Sequence, residues 1–295
     1  MAVTPRFVFR GNAVVFGGRI YRPDDRILES HGSSSLSVVG GRSRSEFKRL
    51  DLSPYLTIAE GRSEAEGVFT KSPMAEREPF KWDETGVPTR TIVTASAERI
   101  EVGREGRVAI GRLSARLQST QPGGQSAASQ PQFHLARTFI DGLTIDGAML
   151  RVHLNIDGHN ADDTFDKVAN RRRQRQADPR ANERTGPEPL RHLDVGDEKD
   201  EPRSSAAPTS TGYPPALPVT ILDKFEWVGE PSRHVEISGH MVHVKNFGRI
   251  YFGEMLITGH TRRLTLVRMQ LGSPESGSLA LGEVETNGSW YPPIP

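Results

Sequence analysis

Short runs of alternating apolar and polar residues, each stopped by glycine, asparagine or proline, recur along this chain. Phe7-Val8-Phe9, Ala13 to Phe16 and Arg19-Ile20-Tyr21 are parted by Gly11-Asn12 and Gly17-Gly18 and closed by Pro23, punctuation that marks strands and tight turns rather than helices. The cleanest alternation spans Ala148 to Ile156, where Leu150, Val152, Leu154 and Ile156 interleave with Arg151, His153 and Asn155. That is the period of a sheet with one buried face. Asp146-Gly147 just before it predicts a hairpin, because a type I′ turn needs positive φ at both central positions. Ile-Asp-Gly occurs at 140–142, 145–147 and 156–158, and turns are expected at two of these.

At two places the buried parity reverses. Val108 and Ile110 give way to Leu113, Ala115 and Leu117 after Gly111, and Ile250 and Phe252 give way to Met255 and Ile257 after Gly253. One extra residue sends every following side chain to the other face, so a β-bulge is predicted at each glycine. Both glycines lie in similar segments, Gly106 to Leu113 and Gly248 to Met255, with a shorter echo in Gly18 to Tyr21. These read either as equivalent strands of a quasi-symmetric sheet or as convergence on strand chemistry.

The pattern changes near residue 160. Phe165, Val168, Ala169 and Arg172 fall at helical spacing, which predicts a helix over about 164–176, capped by Asp162 or Asp163 and ending in a basic run that suits its dipole. From Ala177 to Pro215 the chain is charged and proline-rich with few large apolar residues, so disorder is expected there. Residues 51–89 read as irregular, pinned by Phe80 and Trp82, and 118–132 as an exposed loop. The expected architecture is all-β and mainly antiparallel, a β-sandwich or partly closed barrel. Residues 1–157 and 216–295 form its one domain, and 158–215 are an inserted short helix and disordered loop.

Composition narrows the chemistry. There is no cysteine, which excludes disulfides, thiolate metal sites and cysteine nucleophiles. The formal net charge is +1, so no global field steers the protein to nucleic acid or an anionic surface. A local basic patch of Arg171, Arg172, Arg173 and Arg175 has no interleaved aromatic for base stacking and reads as a solvated helix end. No apolar run is long enough to span a bilayer and the first residues lack a secretory pattern, so a cytoplasmic protein without membrane contact is expected.

No catalytic signature stands out. His31 beside Ser33, Ser34 and Ser35 lacks a nucleophile elbow, and Asn155 to Asp166 lacks the ligand spacing of a calcium loop. Histidines gather at His234, His240, His243 and His260. Strand parity separates His240 from His243, leaving His240, Glu254 and His260 as the acid–base or metal-assisted hydrolase candidate. Trp227, Tyr251 and Trp290 are candidate stacking platforms of a carbohydrate-binding module. The favoured expectation is a non-catalytic structural or interaction protein that needs no cofactor and binds another protein or itself.

Overall fold

The computed structural model describes residues 6–23, 25–70, 88–122, 130–177, 216–272 and 275–291. They form two antiparallel sheets packed as a β-sandwich. In spatial order the first sheet holds β13 (Val235–Ser238), β14 (Met241–Val244), β15 (Gly248–Ile257), β16 (Thr261–Leu271), β17 (Ser276–Tyr291), β1 (Arg6–Arg22) and β2 (Arg26–Ser35), with β11 (Leu217–Thr220) beside β15. The second holds β12 (Leu222–Val228), β10 (Ala148–Leu154), β9 (Thr144–Ile145), β6 (Val108–Gln121), β5 (Thr89–Val102), β4 (Leu56–Phe69) and β3 (Gly41–Leu52), with β7 (Gln132–Leu135) and β8 (Phe139–Asp141) on β6. Each sheet draws strands from both sides of the helical insertion. Asp146 and Gly147 both have positive φ, 49° and 79°, as the type I′ turn requires.

The parity reversals at Gly111 and Gly253 are real, but neither is a one-sided bulge. Pairing runs Ile100↔Ile110 then Glu98↔Arg112, and Phe252↔Val267 then Glu254↔Thr265, so the register does not shift at either glycine. Instead the neighbouring strands reverse with them. In the second sheet the reversals lie in one row, Arg49, Ala59, Arg99, Gly111 and Gly142; in the first the row is Gly32, Val15, Gly282, Leu266 and Gly253. Alternate members have positive φ: Arg49 58°, Arg99 50°, Gly142 69°, Gly32 61°, Gly282 65° and Gly253 65°. A bulge in one strand alone would set its apolar face against its neighbour's polar face. Reversing every strand at the same row keeps a single buried face on each sheet.

The rows divide the core into two kinds of packing. Towards the β5–β6 turn the inward residues are large, among them Phe16, Ile20, Ile58, Ile100, Ile110 and Phe252. Beyond the rows small and hydroxyl-bearing residues, Ala13, Ala65, Ala95, Ala97 and Ala115 with Ser34 and Ser119, alternate with large ones such as Phe9, Leu113, Leu117, Met255 and Leu264. Two hydroxyl pairs bridge the sheets there, Ser34–Ser63 at 2.7 Å and Ser119–Thr286 at 2.9 Å. Each satisfies polar groups that would otherwise be costly to bury.

The insertion begins earlier than the sequence pattern indicates, because 156–158 is not a turn. Asn155 accepts from the Gly158 N–H at 2.9 Å and starts α1 (Ile156–Ala161). The expected helix follows as α2 (Phe165–Ala177), burying Phe165 and Val168. Thr164, rather than Asp162 or Asp163, caps it, with its hydroxyl 3.4 Å from the Lys167 N–H. The two aspartates pair with basic side chains instead, Asp162 with Arg171 and Asp163 with Lys167. Phe80, Trp82 and the stretch 178–215 lie outside the described residues, as do the side chains of Arg173, Arg175 and Trp290. Among the described residues no helix is long and apolar enough to cross a membrane.

Candidate functional site

Two of the three candidate catalytic residues meet. His240 sits with Gly239 in the two-residue loop of the β13–β14 hairpin, where Ser238 pairs with Met241. It is buried while His234 is exposed, because that loop interrupts strand parity between the two. Its carbonyl accepts from the Phe252 N–H at 3.0 Å, which locks the loop to β15. Its Nε2 lies 3.5 Å from Glu254 Oε1. His260 is elsewhere: it is exposed in the β15–β16 turn, while Glu254 pairs with Thr265, three positions beyond the Ile257–Arg262 pair that closes the hairpin. That is roughly 10 Å along the strand. His243 projects from the opposite face of β14 and is exposed.

Glu254 is committed to a different partner. Arg268 donates from Nε at 2.6 Å and from Nη2 at 2.7 Å to its two oxygens, and the guanidinium lies over the Tyr251 ring at 4.0 Å. Burial is the largest single influence and lowers the Arg268 pKa, but hydrogen bonding and charge attraction to Glu254, with a smaller contribution from Tyr251, together hold the guanidinium above its ordinary value. A bidentate, charge-assisted pair of this kind occupies the carboxylate. To act as a base or metal ligand, Glu254 would first have to leave Arg268. Among the described residues no group of three or more His, Asp or Glu is placed to hold a metal.

The candidate stacking residues do not form one platform. Tyr251 is 4% exposed beneath Arg268 in the first sheet. Trp227 is half-buried in the second sheet, opposite Leu150.

A charged cluster that pattern reading passed over joins the insertion to the sandwich. Arg262 is 1% exposed, donates to the Asp162 carbonyl at 2.6 Å and lies over the Phe133 ring at 4.8 Å. Burial pushes its pKa down to about 10, against the pull of Asp163 and Asp162. His159, beside Met255, is pushed down to about 3, chiefly by burial and then by Arg262 and Arg171. The signal was an arginine in phase with inward-facing Leu264 and Leu266.

A concavity lies at the end of the sandwich where the β3–β4, β5–β6, β14–β15 and β16–β17 turns meet. A cleft of about 160 Å³ is lined by Pro54, Tyr55, Gly103, Arg104, Phe247 and Leu271, among others. A shallower depression containing Thr57 and Glu101 adjoins it across Pro54, Gly103 and Arg104. Arg107 builds one wall. It donates from Nε and Nη2 to Asp146 at 2.8 and 2.9 Å, and to the carbonyls of Asn246 and Lys245 at 3.0 Å each. The hydrogen bond from Arg107 holds the Asp146 carboxyl below its usual range. Gly103 has φ 79°, and a Cβ there would lie 3.0 Å from the Phe247 ring, so glycine lets the two sheet ends close together. These residues come from four distant stretches of chain, and no local motif marks them.

No curated protein and no solved structure matches the chain. A family model does match, over residues 7–258, and the chain accordingly belongs to the family described as Domain of unknown function (DUF8256).

Proposed function

We propose that this protein works by binding another protein rather than by catalysing a reaction, and that the end cleft is its contact site. The observation that carries the reading is the clamp made by Arg107, whose four hydrogen bonds tie the Asp146 turn to the β14–β15 turn and so shape the cleft in advance. A preformed site avoids the ordering cost that weakens flexible contacts. Its volume, about 160 Å³, suits one large side chain, and the open depression of about 310 Å³ beside it leaves room for the backbone that carries that side chain. Glu254, bound by Arg268, is poorly suited to the alternative hydrolase reading.

The sheet edges favour a different partner over self-pairing. β13 is only four residues long, β2 shifts register against β1 between Phe16 and Gly18, and β3 carries Arg42, Arg44, Glu46 and Lys48. Short, bulged and charged edges resist edge-to-edge association. Affinity capture from the source cells with wild type, Phe247→Ala, Tyr55→Ala and a distant Val38→Ser control tests the reading, with folding checked by circular dichroism. A partner retained by wild type and the control but lost by both cleft variants is expected. Capture unchanged in folded cleft variants would overturn the proposal.

A further inference from the structure

We infer that the cleft recognises a large apolar side chain flanked by a carboxylate, the carboxylate meeting Arg104; this rests on the reading of the cleft as a protein-contact site. The lining divides into two functions. Tyr55, Pro54, Phe247 and Leu271 offer an apolar surface of the kind that holds an anchoring side chain. Arg104 stands at the border between the cleft and the adjoining depression.

The two arginines of the site are engaged differently. Arg107 spends Nε, Nη1 and Nη2 on Asp146 and two carbonyls and is structural. Arg104 uses only Nε, which donates to Glu275 Oε1 at 2.7 Å, and its terminal nitrogens make no hydrogen bond among the described residues. Glu275 is 19% exposed in its side chain whereas Arg104 is 68% exposed, so the pair orients the guanidinium from below and leaves its outer edge open. Two terminal N–H groups on a planar fork match a carboxylate in geometry and charge. Glu101 lines the depression and Glu275 the cleft, so an acid can meet Arg104 only at the outer edge of its guanidinium, away from both carboxylates, while the side chain beside that acid enters between Tyr55, Phe247 and Leu271. The partner chemistry that fits is therefore a loop or peptide with an aromatic or leucine side chain next to Asp or Glu.

The test is a titration of the full chain with N-acetyl-Phe-Glu-amide and N-acetyl-Phe-Gln-amide, followed by the amide resonances of Gly103, Arg104 and Phe247. The acidic probe is expected to bind on the order of fivefold more tightly at low salt, as an exposed charge-assisted contact gives. Arg104→Gln should abolish that preference and Arg104→Lys should keep part of it. Equal affinity of the two probes with shifts in the cleft would overturn the carboxylate inference alone. No shift in the cleft with either probe, nor with a leucine analogue of each, would count against the inference and the contact-site reading together.

Discussion

Gly253 and Leu266 face one another in β15 and β16, and at that point both strands exchange their buried and exposed faces while their pairing stays in step. Positive φ on one strand, 65° at Gly253, meets ordinary backbone on the other. The same relation continues sideways through Gly282, Val15 and Gly32. Side chains at the row therefore approach closely: a Cβ on Gly282 would lie 3.0 Å from Leu113 of the opposite sheet and 3.3 Å from Leu266.

Gly282→Ala is accordingly expected to destabilise the protein by about 2–4 kcal/mol, combining left-handed strain with overpacking. Arg99 holds φ 50° in the other row with an exposed side chain, and Arg99→Gly relieves strain of the same kind. Its expected change is between about 0 and 1 kcal/mol in the stabilising direction. Urea unfolding midpoints of the two variants check the contrast, and equal destabilisation of both would contradict it.

Strand alternation and glycine spacing carry the fold class, the helix at α2 and the two reversals at Gly111 and Gly253, because those are local properties. That the reversals are collective was not legible. Arg49 and Arg99 carry no glycine signature, and their role appears only when β3, β4, β5 and β6 are laid side by side. The same limit applies to chemistry. His240 and Glu254 are close enough in sequence to be paired by strand logic, but Arg268, which occupies Glu254, belongs to the return strand. The cleft is harder still, since Tyr55, Gly103, Phe247 and Leu271 meet only where separate turns converge.

Acid should act on the protein through His159 before it acts through the carboxylates. Its folded pKa, about 3, lies below the ordinary value near 6.5, so the unfolded chain binds a proton that the folded chain refuses. Stability is thus full above about pH 6.5 and is lost as pH falls towards 3, at about 1.4 kcal/mol per pH unit. Between pH 6.5 and 5, urea midpoints of wild type should fall while those of His159→Gln stay nearly flat. Parallel curves for the two proteins would exclude His159 as the cause.

The family match ends at residue 258, yet β16 and β17 lie between β15 and β1 in the first sheet. A chain ending at Thr258 would leave β1 without β17, its neighbour from Arg6 to Arg22, and expose unpaired edges through the middle of the sheet. Such a chain is expected to show no cooperative urea transition, because the large residues Val267, Met269, Leu279 and Leu281 leave the core with it. A sharp transition with native-like near-ultraviolet circular dichroism would show instead that the remaining strands close on one another.

The Glu254–Arg268 pair gives the sharpest test of why the His240 region holds charge at all. Glu254 is 8% exposed, so Arg268→Met removes the bidentate partner and leaves a buried carboxylate with His240 3.5 Å away, at a cost of up to about 3–5 kcal/mol. Protonation relieves that penalty, and the deficit relative to wild type should shrink as pH is lowered from 7 to 5. Replacing both charges, Arg268→Met with Glu254→Leu, removes the stranded carboxylate and should recover most of the loss, since buried pairs are often matched in stability by apolar residues of similar size. Full recovery identifies the pair as a structural tie lying over Tyr251. A double variant as unstable as Arg268→Met would mean that the guanidinium matters through its packing on the Tyr251 ring, 4.0 Å away, and not through the charge it neutralises.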